Sequence, residues 1–534
     1  MYSTKCSNAS GATMPNNYFY NVAQLFERIA TDHGDRPALK YVDGSVVTYR
    51  ALDELSTRIA AYLYIRGLRR RDILAIVHSK TPRCYAAMIA ALKLGAVYVN
   101  IDDRSPAARL LHVFASAMPK MIVGESFAAD VASAARDRAV EMVAMDDTDF
   151  ERSLERTALD VPFDIDLILG SDPAYIMYTS GSTGVPKGAL ISHAGVVNFA
   201  RWVEKRFDIV PEDTFTNVNP MYFDNSVFDF YGAILNGAAI APVPRDALSD
   251  AAEVLRYAEK SDCTIWFSVP SLLVFLSTMK VLSPDRLRTV RSFVFGGEGY
   301  PKAELRKLYA HFGDRSNLIN VYGPTECTCI CSAKTILRTD LDGDTGLVSL
   351  GSVSDNFSMV IVRDGREAVP GEIGELCLTG PQVGLGYVSD SDRSSIAFVN
   401  NPFNHRWRER MYKTGDLVRL SEDGRSLDFI GRVDNQVKHM GYRIELEEIE
   451  FAINKYEKVM QALVVQRVDR RGMKMLVAYI AGVEGLRDDD IRNHLQSLLP
   501  QYMIPQRFVF RESLPKNANG KVDRNAVVTE PFEL

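Results

Sequence analysis

The segment Tyr175 to Gly188, YIMYTSGSTGVPKG, holds the residues best suited to gripping an anion. Ala174 to Tyr178 are mostly apolar and include a β-branched isoleucine, which predicts a buried strand. The strand gives way to Thr179, Ser180, Gly181, Ser182, Thr183 and Gly184. Bare glycines let backbone N–H groups approach an anion and the hydroxyls add donors, so the run predicts a phosphate cradle. Lys187 follows between Pro186 and Gly188, and an apolar run resumes at Ala189 to Ile191. A P-loop needs glycine just before its lysine and Ser or Thr just after it, and this spacing has neither. Gly/Ser runs are more often flexible surface loops, but an unbroken run of hydroxyls and glycines between a strand and a lysine argues for the cradle.

Further segments carry groups that suit the same ligand. NPMYFDNSVFDFYGAILNGAA places Asp224 directly after Phe223. FGGEG (295–299) and NVYGPTE (320–326) are turn-rich and follow apolar strands at Phe293 to Phe295 and Leu318 to Val321, so both sit at strand ends, where α/β sheets gather ligands. YKTGDLVRL (412–420) offers Asp416, a carboxylate able to accept two hydroxyls through charge-assisted bonds. PKNANGKVDR (515–524) presents Lys521 beyond an Asn-Gly turn. Each has a plainer reading: Asp224 as the cap of a helix beginning near Ser226, Asp416 as part of a Gly-Asp turn, Lys521 as a solvated tail lysine.

Together the loop at 179–188, GPTE and the later segments resemble the adenylate-forming superfamily: acyl-CoA synthetases, luciferases and the adenylation domains of nonribosomal peptide synthetases. The resemblance extends over nearly the whole chain. That family activates a carboxylic acid with ATP to an acyl-adenylate, then usually passes the acyl group to a thiol. The resemblance implies ATP and Mg2+ as cofactors. Thr179, Ser180, Gly181, Ser182, Thr183, Gly184 and Lys187 would hold phosphates, and Gly297, Glu298 and Tyr322 the nucleotide, with Tyr322 stacked on adenine. Asp416 would take the ribose hydroxyls with Arg432 nearby, Thr325 the phosphate or carboxylate, and Glu326 the magnesium. Lys521 would bridge the acyl carboxylate and the ATP phosphate, and Asp434 would be the pivot of a hinge. An aromatic face for a purine, a hard oxygen for a hard cation and a lysine for a charged transition state are chemically apt.

The same resemblance assigns Asp224 to the ammonium of an amino-acid substrate. A pocket that buries an ammonium needs a fixed counter-charge, because an unpaired buried charge costs several kcal/mol. Asn225, Phe228, Ser268, Val294, Gly296, Val321, Cys329 and Ile330 would line the acyl pocket and carry no second charge. The implied activity is adenylation of a small-to-medium uncharged amino acid, followed by transfer to the phosphopantetheine thiol of a separate carrier protein. A β-amino acid fits equally, since Asp224 fixes an ammonium but not its carbon position. The rival enzyme reading is an acyl- or aryl-CoA ligase, and a third is a silent nucleotide-binding relative, against which Lys521 and Glu326 argue. No carrier-like segment with an attachment serine follows residue 524, which suggests a freestanding enzyme. In GRVDNQVKHMGYRIELEEIE (431–450), His439 and Met440 stand where the family usually has isoleucine and arginine.

The elements that must position these groups follow from periodicity. In VTYRALDELSTRIAAYLYIRGL, Leu52, Leu55, Ile59 and Leu63 recur at helical spacing, with Gly67 as a stop. A strand at 72–78, a helix at 84–94 and a strand at 96–101 form a βαβ unit, hence a parallel sheet wrapped by helices. Met121 to Gly124 and Glu141 to Met145 read as further strands. GEIGELCLTG (371–380) reads as a hairpin or small barrel segment. Residues 445–456 predict an amphipathic helix with Leu446, Ile449, Ala452 and Ile453 on one face. Strands at 459–468 and 474–480 would alternate with helices in a small cap. The fold class is therefore α/β, with a large N-terminal domain (1–432) of helix-wrapped sheets and a small mobile α+β domain (433–534).

At 534 residues the chain exceeds one ordinary domain, and 46% hydrophobic with 24% charged residues is the balance of a globular protein. A net charge of −6 leaves no electrostatic footprint for nucleic acid or an anionic membrane. No apolar run approaches a membrane span, and the N-terminus lacks a basic start followed by an apolar stretch, so a cytoplasmic location is expected. Residues up to about 20 are polar and expected to be disordered until Tyr18. The seven cysteines are odd in number and suit reduced thiols. Alternation in Cys327-Thr-Cys-Ile-Cys331 predicts an extended segment with three buried sulfurs on one face, since zinc spacing and a second ligand pair are missing. Asp229 reads as a carboxylate on a helix surface or in its first turn.

Overall fold

The computed structural model describes residues 18–157, 163–181, 183–343, 346–422, 424, 426–468, 474–482, 485–516 and 522–530. The expectations for the first 17 residues, for Ser182 and for Lys521 lie outside the described residues.

The predicted βαβ unit forms as read. Strand Ile73–Val77 pairs in parallel with Val97–Ile101 across the helix Pro82–Leu94. Every residue of that helix from Cys84 onward is buried, the pattern of a helix covered on all sides. Proline stands at its first turn and Gly95 ends it in the left-handed conformation. The preceding helix, Tyr49–Ile65, is capped by the Thr48 hydroxyl, which accepts from the Ala51 N–H at 3.2 Å. Leu52, Ile59 and Leu63 are buried beneath it.

Among the described residues the large domain has two big sheets and a third, smaller one. The seven-stranded sheet runs, in spatial order, Gly386–Tyr387, Lys187–Ser192, Pro173–Thr179, Val97–Ile101, Ile73–Val77, Met121–Gly124 and Glu141–Ala144. The nine-stranded sheet places Ser292–Gly296 beside Asn317–Tyr322 in parallel. One core cluster takes Leu74 and Tyr98 from the first sheet, Phe215, Phe267 and Val294 from the second, and Leu52, Phe199, Phe228 and Tyr231 from helices. The helices are thus the filling between two sheets. Ile373–Thr379 belongs to the antiparallel third sheet, with Arg410–Leu420 and Leu427–Arg432.

Beyond Arg432 the chain builds a hairpin, Gln436–His439 with Tyr442–Glu445, followed by the helix Leu446–Asn454. Strand Val459–Val468 pairs directly with Lys474–Gly482, and Arg507–Arg511 adds a parallel third strand. The two strands predicted to alternate with helices are therefore a hairpin. Ile444, Ile449, Ile453, Val464, Leu476 and Leu495 form a separate core for this small unit.

Two local expectations change. Cys327 to Cys331 is not extended: Thr325–Cys327 is a turn of 3-10 helix, and Thr328 and Cys329 have φ of +57° and +71°. The alternation therefore does not put the sulfurs on one face. Cys327 and Cys331 enter the core under the third sheet, while Cys329 joins the core between the large sheets. Asp229 is fully buried, and its Oδ2 accepts from Asn217 at 2.9 Å and Asn219 at 3.0 Å. Burial raises its pKa and lowers that of the nearby Lys80, whose ammonium donates to the Asn217 and Val243 carbonyls.

Candidate active site

The loop expected to hold phosphates is the turn of a β-hairpin, because Pro173–Thr179 pairs antiparallel with Lys187–Ser192 and no helix follows directly. The turn is closed by the Gly184 N–H on the Gly181 carbonyl at 2.9 Å, with Gly184 at φ +76°. A Cβ on Gly181 would lie 2.0 Å from the Val185 carbonyl oxygen, so no other residue fits there. The Thr179 hydroxyl is buried with no partner in the structure. Thr183 accepts a hydrogen bond from Arg393. Lys187 reaches inward, 3.7 Å from Glu326 and 3.9 Å from Glu445, and burial lowers its pKa.

Beside the loop opens a cleft of about 550 Å³ lined by Gly297, Glu298, Tyr322, Asp416, Arg432 and Asp434, among others. That volume suits a nucleoside, since small-molecule sites span about 300–1,000 Å³. Tyr322 donates to Asp416 at 2.5 Å, and Arg432 bonds Asp416 on one side and grips Asp434 at 2.6 and 2.8 Å on the other. Burial works against the Asp434 carboxylate, but the Arg432 bonds outweigh it and hold its pKa low. Glu298 faces the small domain, accepting from the Gly441 N–H at 2.6 Å and from the Ser271 N–H at 3.2 Å.

A narrower pocket adjoins the cleft, lined by Asp224, Asn225, Val321, Thr325, Cys329 and Ile330 together with Met177 and Phe267. Asp224 occupies the capping position of the helix Asn225–Ile234, yet its side chain makes no capping bond. The carboxylate instead accepts from the Thr325 hydroxyl at 2.5 Å. Burial raises its pKa, partly offset by Thr325 and by the nearby Lys438 and Arg443. Phe228, Ser268, Val294 and Gly296 lie behind this lining. Phe228 packs against Phe267 at 4.8 Å, Ser268 accepts from the Trp266 indole at 2.9 Å, Val294 is fully buried, and Gly296 lies against Val321.

The small domain enters the site as well. Arg443 donates to Glu326 at 2.7 Å and Tyr387 does so at 2.8 Å. Burial alone would raise the Glu326 pKa, but Arg443, Lys187 and Tyr387 hold it well below the usual carboxylate range. Ser180 donates to the Arg443 carbonyl at 2.6 Å and accepts from the Glu445 N–H at 3.1 Å. Glu448, paired with Arg109 at 2.7 Å, accepts from the Gly181 N–H at 3.1 Å. A small-domain carboxylate thus rests on a cradle donor and a small-domain guanidinium on Glu326. Phe223 and Tyr442 seal the contact edge to face, with centroids 4.6 Å apart.

A family model described as AMP-binding enzyme matches residues 26–388, and one described as AMP-binding enzyme C-terminal domain matches residues 448–521. The chain belongs to the AMP-binding enzyme family. Surfactin synthase subunit 3 of Bacillus subtilis is 32% identical over 502 residues, which cover 93% of this chain and 38% of that protein. The chain thus spans well under half the length of this relative. Among solved structures, NpsA-ThdA, an artificially fused adenylation-PCP di-domain from Klebsiella oxytoca, matches with TM-score 0.81 and 25% identity, covering 92% of this chain and 94% of that one. Holo-PA1221, an NRPS protein containing adenylation and PCP domains, matches with TM-score 0.82 and 26% identity, covering 95% and 84%.

AMP-binding enzymes use ATP, and the residues present fit it: an open cleft ends at an aromatic and a carboxylate, and leads to a cradle with an unpartnered buried hydroxyl. Gly181→Ala in this AMP-binding enzyme is expected to weaken ATP affinity about tenfold or more, because the backbone clash costs about 1–3 kcal/mol. Isothermal titration measures it, and affinity within twofold of the parent would separate the loop from the nucleotide.

Sequence reasoning passed over Lys438, Arg443, Tyr387 and Glu448. A signal existed for the first two: Lys438 and Arg443 are directly opposed across the hairpin, so they share a face. Like charges in that position repel unless carboxylates meet them. Here they face Glu326, Asp224 and Asp416. His439 is buried beside Gln506, and burial pulls its pKa down to about 4, so it is a neutral core residue. Met440 is exposed at the hairpin tip. Among the described residues no helix is long and apolar enough to cross a membrane.

Proposed function

We propose that this chain adenylates an amino acid and transfers the aminoacyl group to the thiol of a phosphopantetheine-bearing carrier protein. The observation that carries the reading is Asp224: a carboxylate at the acid pocket, hydrogen-bonded to Thr325, that leaves its helix uncapped. A partly buried carboxylate whose pKa is raised by desolvation gains from a cation brought by the ligand. Val321, Cys329, Ile330, Met177 and Phe267 give the pocket an apolar wall, while its charged lining residues, Arg432, Lys438 and Arg443 among them, meet the carboxylates of Asp416, Asp224 and Glu326, so the side chain we assign to the apolar wall is uncharged and small to medium in size.

In the first half-reaction a carboxylate oxygen of the amino acid attacks the α-phosphorus of ATP in line, and the bond to the β-phosphate breaks to release pyrophosphate. Thr179 and Thr183 hold phosphates, Asp416 takes the ribose hydroxyls with Arg432 behind it, and Tyr322 supplies a face for adenine. Magnesium, a hard cation suited to a carboxylate held ionised, would be held by Glu326 and would neutralise phosphate charge. Lys521 would steady charge on the attacking carboxylate and the phosphorus together.

In the second half-reaction the thiol sulfur attacks the acyl carbon, the carbon–oxygen bond to AMP breaks, and the thiol proton leaves to solvent. The inserted hairpin suits this step, since Arg443 donates to Glu326 and gives that carboxylate a cation partner from the chain itself. Between the two steps the small domain would turn about Asp434. Two structural relatives, NpsA-ThdA and PA1221, contain adenylation and PCP domains, which supports the choice of a carrier as acceptor.

Acceptor competition tests the reading. The enzyme with ATP, magnesium and an amino acid is offered a phosphopantetheine-loaded carrier domain and coenzyme A in equal amounts, and thioesters are weighed by mass spectrometry. Aminoacyl mass on the carrier is expected. Thioester on coenzyme A alone would make the chain an acyl-CoA ligase.

A further inference from the structure

Arg393 stands at the outer rim of the phosphate loop on the short helix Ser391–Ala397, which none of the nucleotide-binding segments read from the sequence includes. The helix is stitched to the loop's own strand. Gly386–Tyr387 pairs antiparallel with Lys187–Ser192, and the Ser394 hydroxyl accepts from the Tyr387 N–H at 2.8 Å. The segment that aims Tyr387 at Glu326 therefore also fixes where Arg393 points. Its guanidinium bonds the Thr183 hydroxyl, and one of its nitrogens lies 3.6 Å from where a Cβ on Gly181 would be. Asp390 holds the same side chain at 3.3 Å from behind while capping the helix.

The loop's other cation is already engaged, since Lys187 lies inward between Glu326 and Glu445. Arginine carries five donors in a planar fork that matches phosphate oxygens in pairs, and the contacts to Thr183 and Asp390 leave donors of Arg393 uncommitted. It remains partly exposed, so an incoming anion can reach it.

Resting on the adenylation reading, we propose that Arg393 is a nucleotide-binding residue that grips the β- and γ-phosphates of ATP and the departing pyrophosphate. In this reading the α-phosphate and the nucleoside would lie in the cleft lined by Tyr322 and Asp416.

The test compares ATP and AMP binding to the whole chain, parent and variants, by isothermal titration. Arg393→Ala is expected to weaken ATP about 10- to 30-fold and Arg393→Lys about 3- to 5-fold, while AMP stays within about twofold, because the charge-assisted bonds lost are those to the β- and γ-phosphates, which AMP lacks. The KM for pyrophosphate in exchange into ATP should rise in the same proportion. A loss of AMP equal to that of ATP would mean a structural role, and ATP binding within twofold of the parent in Arg393→Ala would also overturn the proposal. A parent chain that binds neither nucleotide would overturn the adenylation reading itself.

Discussion

Asp224→Ala lowers amino-acid-dependent exchange of pyrophosphate into ATP by about 10²–10⁴-fold. The size follows from leaving the substrate ammonium buried without its counter-charge, which costs about 3–5 kcal/mol. Lys438 and Arg443 are close enough to act on Asp224 electrostatically, so deleting the carboxylate would also leave the ammonium facing cations. A helix cap would behave differently: its loss costs about 1 kcal/mol of stability and falls on every substrate alike. The structure speaks against that role, because Asp224 makes no capping bond. Exchange kinetics with an amino acid, alongside thermal melting, separate the two. A melting shift with exchange retained would return Asp224 to the scaffold.

Arg443→Ala splits the two half-reactions. Thiol transfer is expected to fall about 10- to 100-fold more than pyrophosphate exchange does. In the inserted arrangement Arg443 is the nearest cation to Glu326, at 2.7 Å against 3.7 Å for Lys187. A hydrogen bond to a buried charge contributes about 1.5–3 kcal/mol, and without it the inserted state is the one that suffers. In the exchange reaction magnesium would serve Glu326 instead. Single-turnover transfer from preformed aminoacyl-adenylate, compared with exchange on the same preparation, measures the ratio. Equal losses in both would show that Arg443 supports the large domain and not the inserted hairpin.

Much of the scaffold was legible because local signals and global packing agree. The helix Tyr49–Ile65 has its cap, its apolar face and its glycine stop in the sequence, and the βαβ unit follows from run length and periodicity. The loop at 179–187 was legible as a break between two apolar runs but not as a hairpin turn, since an apolar run after a glycine loop does not say which strand it will join. The Cys327–Cys331 alternation misled because Thr328 and Cys329 adopt positive φ, a backbone state that tertiary packing imposes on residues with no preference for it. Asp229 was invisible as a core residue because Asn217, Asn219 and Lys80, which make its burial tolerable, come from other elements.

The lining of the pocket beside Asp224 was read in part. Asp224, Asn225, Val321, Cys329 and Ile330 reach the lining, whereas Phe228, Ser268, Val294 and Gly296 stand one layer back. A linear pattern marks which residues are near a pocket, but side-chain direction decides which ones face it. The hairpin residues Lys438 and Arg443 escaped notice for a related reason: their meaning depends on a docking between two domains. Lys521 lies outside the described residues, and its role rests on the resemblance alone.

The most direct test of the central claim is exchange of labelled pyrophosphate into ATP by the unaltered chain, using pairs of acids that differ only in an amine: L-, D- and β-amino acids against their deaminated counterparts. The account predicts exchange with one small uncharged member of the amine-bearing set and none with its deaminated partner. Exchange driven by acids that lack an amine would contradict it.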